Sequence, residues 1–217
     1  MDTRTYIFLA ASLLLLASSG PSEACSCFSA HPQTAYCNAD VVIKARFVGA
    51  NLNNSTSGQF GWTQYEIKMS KIFKGSDHIT DLQFLYTPSE DSLCGYTHHS
   101  TNKSEEYVII GHMSGGKVQI SSCGFIRPWA GLSASQKRGI MQIYKDGCNC
   151  TIVPCIAMPC SISRDTECLW TDRFTSRSWK AYQTQHYACL PQGSGTCTWQ
   201  SMKPRANSSI FRSTAAL

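Results

Sequence analysis

Alternating and continuous apolar positions predict five β-strands in the amino-terminal part of the chain. Residues 40–48 (DVVIKARFV) are rich in β-branched side chains, and residues 65–69 (YEIKM) alternate apolar with polar ones, as in a strand with one buried face. Gly115-Gly116 predicts a hairpin turn between the last two strands. The three further strands are predicted over residues 82–86, 107–112 and 117–121. Five strands in roughly 100 residues suit either a small sandwich or a five-stranded OB-type barrel.

One amphipathic helix is predicted after these strands. Ser133 precedes Gln136 by three residues, which is the spacing of a capping box at the start of a helix. Ile140, Ile143 and Tyr144 then fall on one face of that helix. We expect this face to pack against the strands, so the predicted fold class is mainly β with one flanking helix.

The first apolar run of the chain has the properties of a signal peptide. Residues 6–17 are almost wholly apolar, follow Arg4, and precede a Ser-Glu-Ala sequence that ends at Ala24, the small-x-small pattern of a cleavage site. A membrane-spanning helix needs about 20 apolar residues, so an uncleaved anchor is the disfavoured alternative. We therefore predict a signal peptide over residues 1–24 and a secreted, extracellular mature protein that begins at Cys25.

Composition excludes a disordered chain and points to disulfides. Of the 217 residues, 42% are hydrophobic and 15% are charged, and the formal net charge is +5, unlike the composition of disordered proteins. This small positive charge favours anionic partners only weakly. All 12 cysteines follow the predicted cleavage site, and an even number in a secreted chain predicts that they pair as disulfides.

The spacing of the cysteines argues against zinc, and no catalytic motif is present. The closest pairs, Cys25/Cys27 and Cys148/Cys150, have one residue between them, whereas structural zinc sites use two to four. The sequence contains no Gly-x-Ser-x-Gly, no His-Glu-x-x-His and no phosphate-binding glycine loop. We therefore expect neither an enzyme nor a cofactor of the protein's own.

The density of cysteines predicts two domains. Five cysteines are spread over residues 25–123, whereas seven lie within residues 148–197. We place the boundary at residue 148, with a small disulfide-rich domain over residues 149–199 that its disulfides must largely stabilise. The segment over residues 200–217 has no apolar pattern and is predicted to be a mobile tail.

Two Asn-x-Ser/Thr sequons lie in polar loops and are the best candidates for N-glycosylation. They are at Asn54 and Asn102, and the motif marks surface loops of secreted proteins.

Cleavage after Ala24 would give the chain a reactive amino terminus. The α-amine of Cys25 has an ordinary pKa near 8, so a fraction carries a free lone pair at neutral pH. This nitrogen and the carbonyl oxygen of the same residue can chelate a metal, and a catalytic zinc keeps one position that such a chelate could take. Disulfides of Cys25 and Cys27 would lower the entropy cost of inserting this end into a cleft. In a simpler interpretation, also open, they only anchor a chain end.

Five segments of the mature chain resemble the tissue inhibitors of metalloproteinases. They are CSCFSAHPQTAYCNADVVIKARFVGA, YEIKMSKIFKG, CGY, ECLWTD and ACLPQGSGTCTWQS, which begin at Cys25, Tyr65, Cys94, Glu167 and Ala188. The similarity includes all 12 cysteines and in detail is greatest to the first, N-glycosylated member of that family. It implies an OB-type (netrin-like) barrel over residues 25–148 and a small disulfide-rich domain after it.

The resemblance also implies the disulfide pairing and the residues that contact a proteinase. The implied pairs are Cys25–Cys94, Cys27–Cys123, Cys37–Cys148, Cys150–Cys197, Cys155–Cys160 and Cys168–Cys189. The implied contact residues are Cys25, Ser26, Cys27, Phe28, Ser92 and Leu93. Cys25 would chelate the zinc of the target through its amine and carbonyl, and Ser26 would enter the specificity pocket. Cys27 and Phe28 would lie along the cleft, and Ser92 and Leu93 would fill its other side.

The implied function is secreted inhibition of zinc matrix metalloproteinases, in a 1:1 complex, which would regulate turnover of the extracellular matrix. A pro-gelatinase bound to the second domain and a cell-surface receptor are further candidate partners, whereas nucleic acid and membranes are not. Phe28 stands where the family has a smaller residue, and Ser29-Ala30 replaces a stretch that often contains proline, so we expect altered target selectivity. The alternative is a non-inhibitory netrin-like module that binds a receptor or a matrix component.

Overall fold

The computed structural model describes residues 25–53, 61–76, 79–176 and 178–203. The predicted signal peptide, the sequon at Asn54 and residues 204–217 lie outside these ranges. Within them, no helix is both long and apolar enough to span a membrane. The strands are β1 (Val41–Asn53), β2 (Trp62–Lys74), β3 (Phe84–Pro88), β4 (Tyr107–Ser114), β5 (Lys117–Gln119), β6 (Ile126–Pro128), β7 (Thr151–Pro154), β8 (Glu167–Trp170), β9 (Tyr187–Pro191) and β10 (Cys197–Ser201). The α-helices are α1 (Pro32–Asn38), α2 (Ala134–Arg138), α3 (Asp172–Thr175) and α4 (Tyr182–His186).

The first five strands form a closed barrel. β1 pairs antiparallel with both β2 and β4, and β2 pairs antiparallel with β3. β5 pairs antiparallel with β4 and parallel with β3, so the strand order β1-β2-β3-β5-β4 returns to β1. This ring confirms the predicted mainly β fold with an OB-type barrel and excludes the sandwich. β6 extends the sheet beside β4, and no sequence pattern predicts it.

The first part of β1 is buried on both faces, which explains its nearly continuous apolar sequence. Val41, Ile43 and Ala45 lie in the cluster that fills the barrel, whereas Val42 lies in a second cluster outside it, because successive strand residues face opposite sides. β1 and β2 are each 13 residues long, and their pairing shifts register at three places. Such bulges supply the bending and twist that close a barrel.

The predicted helix begins where its capping box places it. The Ser133 hydroxyl accepts a hydrogen bond from the backbone N–H of Gln136 at 3.1 Å, and the Gln136 side chain accepts one from the N–H of Ser133 at 3.0 Å. The α-helical part ends at Arg138 and continues as a π-helical and then a 3-10 turn. Ile140 and Tyr144 are buried in the second cluster, outside the barrel, as the apolar face predicts.

The part of the chain after residue 148 contains two small sheets. β7 pairs parallel with β8, and β9 pairs antiparallel with β10. The Cys168–Cys189 disulfide joins β8 to β9, and the Cys150–Cys197 disulfide joins the start of β7 to β10. Strands of only four or five residues are too short to show periodicity in the sequence. The disulfides, rather than long paired strands, stabilise this part of the chain.

The cysteine-rich part also completes the core outside the barrel. Ala188 and Met202 are fully buried in the second cluster together with Tyr144. The buried side chain of Gln33 in α1 accepts a hydrogen bond from the N–H of Cys189 at 2.8 Å and donates one to the Cys189 carbonyl at 2.7 Å. The two predicted domains are therefore packed against each other through apolar and hydrogen-bonded contacts.

The structure corrects the predicted start of the tail. Gln200 and Ser201 belong to β10, where Ser201 pairs with Tyr187. The Met202 N–H donates to the carbonyl of His186 at 2.8 Å, and the Met202 side chain is fully buried. A short polar sequence around one methionine gave no apolar pattern, although that methionine fills the core. The fold therefore includes residues 200–203.

Candidate functional site

Two adjacent disulfides fix the beginning of the described chain. Cys25 is bonded to Cys94 with 5.3 Å between their Cα atoms, and Cys27 is bonded to Cys123 with 5.1 Å. The Sγ atoms of Cys25 and Cys123 lie 3.6 Å apart, so the two bridges pack against each other. Ser26, between them, is exposed. The backbone of this segment is held on both sides of an accessible side chain.

The remaining disulfides complete the pairing that the resemblance implies. They are Cys37–Cys148, Cys150–Cys197, Cys155–Cys160 and Cys168–Cys189. Within the described residues no cysteine is free, although Cys25, Cys27, Cys94 and Cys123 bring their sulfur atoms within 4.8 Å of one another. Metal sites need thiolates, so this group of sulfurs is a covalent clamp and not a metal site.

A tight turn carries Ser92 and Leu93 beside the clamped segment. The N–H groups of Leu93 and Gly95 both donate to the carbonyl of Glu90 at 3.1 Å. Cys94 has a left-handed φ of 58°, and a Cβ on Gly95 would lie 2.2 Å from the backbone carbonyl that ends β3. Glycine is required there because the turn passes so close to the strand. The Cys25–Cys94 bond then joins this turn to the clamped segment.

The structure thus brings all six predicted contact residues together. Residues 26–28 are exposed, with Phe28 57% accessible, and Leu93 in the facing turn is 39% accessible. The Cys25–Cys94 bond links the two parts, which we call the clamped segment (residues 25–28) and its flanking turn (Ser92 and Leu93).

His31 anchors the chain a few residues after the clamped segment. Its Nδ1 atom caps α1 by accepting a hydrogen bond from the Gln33 N–H at 3.2 Å. The ring is 1% exposed and lies with its centroid 5.4 Å from the rings of both Trp170 and Trp199. Burial lowers the pKa of His31 to about 3, so the ring is neutral at physiological pH.

A basic side chain that the sequence did not identify lies against the clamped segment. Arg173 of α3 places its guanidinium carbon 4.7 Å from the centroid of the Phe28 ring. Residues 26–28 form one wall of a groove of about 500 Å³, and Ile156 and residues 173–176 form the other. The only sequence signal nearby is the ECLWTD segment that ends just before Arg173, and it gives no reason to pair the arginine with Phe28.

Of the two candidate glycosylation sites, the one within the described ranges, Asn102, is in a surface loop. Asn102 is exposed, and its side-chain oxygen accepts a hydrogen bond from the Ser104 N–H at 3.0 Å. This local turn presents the asparagine to solvent, as a glycosylation site requires. Modification at Asn54 and Asn102 stays a prediction.

Comparison with known proteins gives matches over nearly the whole described chain. Residues 23–199 match the family model described as tissue inhibitor of metalloproteinase. The chain is 41% identical over 194 residues to metalloproteinase inhibitor 3 of Scyliorhinus torazame, covering 88% of this chain and 89% of the relative. It is 43% identical over 197 residues to metalloproteinase inhibitor 2 of Canis lupus familiaris (88% and 88%). It is 40% identical over 191 residues to metalloproteinase inhibitor 4 of Mus musculus (86% and 85%).

Proposed function

The chain belongs to the tissue inhibitor of metalloproteinase family, and we propose that it inhibits matrix metalloproteinases by inserting residues 25–28 into the active-site cleft. It is an inhibitor of metalloproteinases and not an enzyme. The observation that carries the proposed mechanism is the exposure of the clamped segment (residues 25–28) between two packed disulfides; from here on we call it the inhibitory segment. That the chain is most similar to the first, N-glycosylated member of the family stays a prediction.

Cys25 is the residue that we assign to the zinc of the target. After cleavage at Ala24, its α-amine and carbonyl oxygen would offer two ligands from one residue, and the zinc that they meet belongs to the proteinase. The inhibitor needs no cofactor of its own. Because the Cys25 and Cys27 bridges fix the backbone, little conformational entropy remains to be lost when the segment binds.

The other residues of this surface are assigned by their positions. Ser26 projects from between the two bridges and is proposed to enter the specificity pocket. Cys27 and Phe28 follow it along the cleft, and Ser92 and Leu93 of the flanking turn occupy the opposite side. The exposure of these side chains and the covalent link between the two segments support this arrangement.

We further propose a division of labour between the two parts of the chain. Residues 25–148 hold the whole inhibitory surface and form the inhibitory unit, which binds one proteinase molecule. Residues 149–199 modulate partner choice and are the candidate surface for a pro-gelatinase or a cell-surface receptor. Six disulfides are typical of an oxidising compartment and support an extracellular location and a role in matrix turnover.

The test is to block the amine of Cys25 without changing any side chain. A mature protein with one alanine added before Cys25 is expected to lose inhibition, because the amine becomes an amide nitrogen that cannot donate its lone pair. The control carries one alanine added after Leu217. Mass analysis verifies the amino terminus, and disulfide mapping verifies the fold. Equal inhibition by the two proteins would contradict the chelate, and no inhibition by the control would favour the non-inhibitory binding module.

A further inference from the structure

We propose that Arg173 is a positioning residue for the inhibitory segment, which it holds through the aromatic ring of Phe28. The inference rests on the proposed function, because Phe28 is assigned there to the proteinase cleft. It adds a direct link between residues 149–199 and the surface that contacts the target.

The contact has the geometry of a cation–π interaction with a nearly buried cation. Arg173 is 9% exposed, and its guanidinium carbon lies 4.7 Å from the ring centroid of Phe28 and 6.0 Å from that of Trp170. Attraction between a guanidinium and a ring face extends to about 6 Å and strengthens when the cation is desolvated. Among the described residues Arg173 forms no ion pair, and its Nε has no hydrogen-bond partner. The two rings are therefore its main electrostatic partners.

Arg173 stands on a turn that is itself fixed. The side-chain oxygen of Gln183 in α4 accepts a hydrogen bond from the Thr171 N–H at 3.0 Å. In return, the Asp172 carboxylate accepts one from the Gln183 N–H, and the Ser176 N–H closes α3 by donating to the Asp172 carbonyl at 2.7 Å. These bonds join α3 to α4, so the position of Arg173 is set by residues 149–199 and not by Phe28.

Phe28 needs such a contact because its own segment is weakly held. Within the described part of the chain, Phe28, Ser29 and Ala30 form no hydrogen bond, although Cys27 before them and His31 after them are anchored. Trp170 lies between Arg173 and His31: its ring centroid is 5.4 Å from that of His31 and 6.0 Å from the guanidinium carbon of Arg173. Arg173 and Trp170 thus hold the two ends of residues 28–31.

The expected consequence is a weaker and less discriminating inhibitor when the contact is lost. An unrestrained Phe28 must be ordered during binding, which lowers affinity. We expect Arg173→Met, which keeps the apolar stem but removes the charge, to raise the inhibition constant about threefold to tenfold, the range of one partly buried cation–π contact. Phe28→Leu, which keeps an apolar side chain but removes the π face, also loses direct cleft contacts and should raise it at least as much.

The experiment is a double-variant cycle in the full-length mature protein. If the two residues act through one contact, Arg173→Met has no further effect in the Phe28→Leu background, and Arg173→Lys recovers part of the wild-type inhibition. Lys117→Met is the matched control, because Lys117 also lies 4.7 Å from an aromatic ring, that of Tyr86 in the barrel. It is expected to inhibit like the wild type.

Backbone ¹⁵N relaxation of the free protein separates positioning from a purely structural role. It is preferred to amide hydrogen exchange, because residues 28–30 form no hydrogen bond in the described part of the chain and their amides would exchange quickly in every variant. Arg173→Met and Phe28→Leu are both expected to lower the backbone order parameters of residues 28–30, whereas Lys117→Met is not. Additive effects in the cycle, or unchanged order parameters at residues 28–30, would overturn the proposal. If Arg173→Met does not fold, Phe28→Leu is compared with Phe28→Tyr, which keeps the ring: equal order parameters in these two variants would overturn the proposal. If wild-type protein fails to inhibit, the proposed function is wrong, and the relaxation measurement still decides whether the contact exists.

Discussion

The buried histidine at the start of α1 is expected to make stability depend on pH. His31 is neutral and 1% exposed in the folded protein, where burial lowers its pKa to about 3, and its Nε2 has no hydrogen-bond partner within the described residues. In the unfolded chain its pKa returns to about 6.5. Between these two values the unfolded chain binds a proton that the folded protein does not bind. Stability is therefore highest above pH 6.5 and falls as the pH is lowered towards 3.

The size of this effect follows from the difference between the two pKa values. At pH 4.5 the unfolded chain is stabilised by roughly 2.5 kcal/mol relative to neutral pH, from this one group. His31→Asn removes the titration and keeps a side chain that caps helices well. The lost ring leaves space beside Trp170 and Trp199, which costs roughly 1–3 kcal/mol at every pH. The variant should thus be less stable at pH 7.5 but should lose less stability on acidification.

Guanidinium unfolding with the disulfides intact, at pH 7.5 and pH 4.5, measures both quantities. Trp170 and Trp199, whose rings flank His31, report the transition by fluorescence. Other groups titrate alike in both proteins, so the difference between wild type and His31→Asn isolates His31. His99→Asn, at an exposed position, is the matched control and should behave as the wild type does. Equal losses of stability in wild type and His31→Asn between the two pH values would refute the reasoning.

Three further changes test the packing and the inhibitory segment. Gln33→Leu is expected to lower the free energy of unfolding by roughly 2–4 kcal/mol in urea, because the N–H and carbonyl of Cys189 lose their partners; a change within error would contradict this. Gly147→Ala should lower the melting temperature, because its Cβ would lie 2.3 Å from the Cys189 carbonyl oxygen, whereas Gly193→Ala meets no atom within 4 Å and should not; equal melting temperatures would count against the packing. Ser26→Arg should redistribute inhibition constants across a panel of metalloproteinases, because arginine needs a deep, polar pocket. An unchanged profile would show that Ser26 does not enter the pocket.

The parts of the fold that the sequence predicted are those with strong local signals. The barrel strands alternate or bury β-branched residues, and the Ser133 capping box marks the start of α2. α1 was missed because its cap is a histidine, which is rare at that position, and only Pro32 at its first turn indicates a helix. β6 has three residues and ends at Pro128, so it shows no period at all.

The candidate site, too, was predicted from the sequence only in part. The chemistry of Cys25 and the quoted motifs predicted the inhibitory segment, because those residues are contiguous and carry an unusual pair of cysteines. Arg173 could not be predicted as a partner of Phe28, since the two are far apart in sequence and the cation has no charged partner among the residues that the structure describes. Gln33 was missed for a similar reason: a buried amide is recognised only when the backbone that it satisfies is known.

The contacts of Arg173 and Gln33 cross the predicted domain boundary at residue 148. The change in cysteine density at residue 148 divides the disulfides cleanly, and no bridge crosses it. Noncovalent contacts do cross it, and three of them reach residues 28–33: Arg173 contacts Phe28, Trp170 contacts His31, and Cys189 is hydrogen-bonded to Gln33. The inhibitory segment is therefore held from two sides, by disulfides from the barrel and by ring and amide contacts from residues 149–199. Disulfides fix where its backbone begins, whereas Phe28 contacts Arg173 of the second part. We therefore expect inhibition itself to depend mainly on the disulfides of the barrel, and selectivity to depend also on residues 149–199.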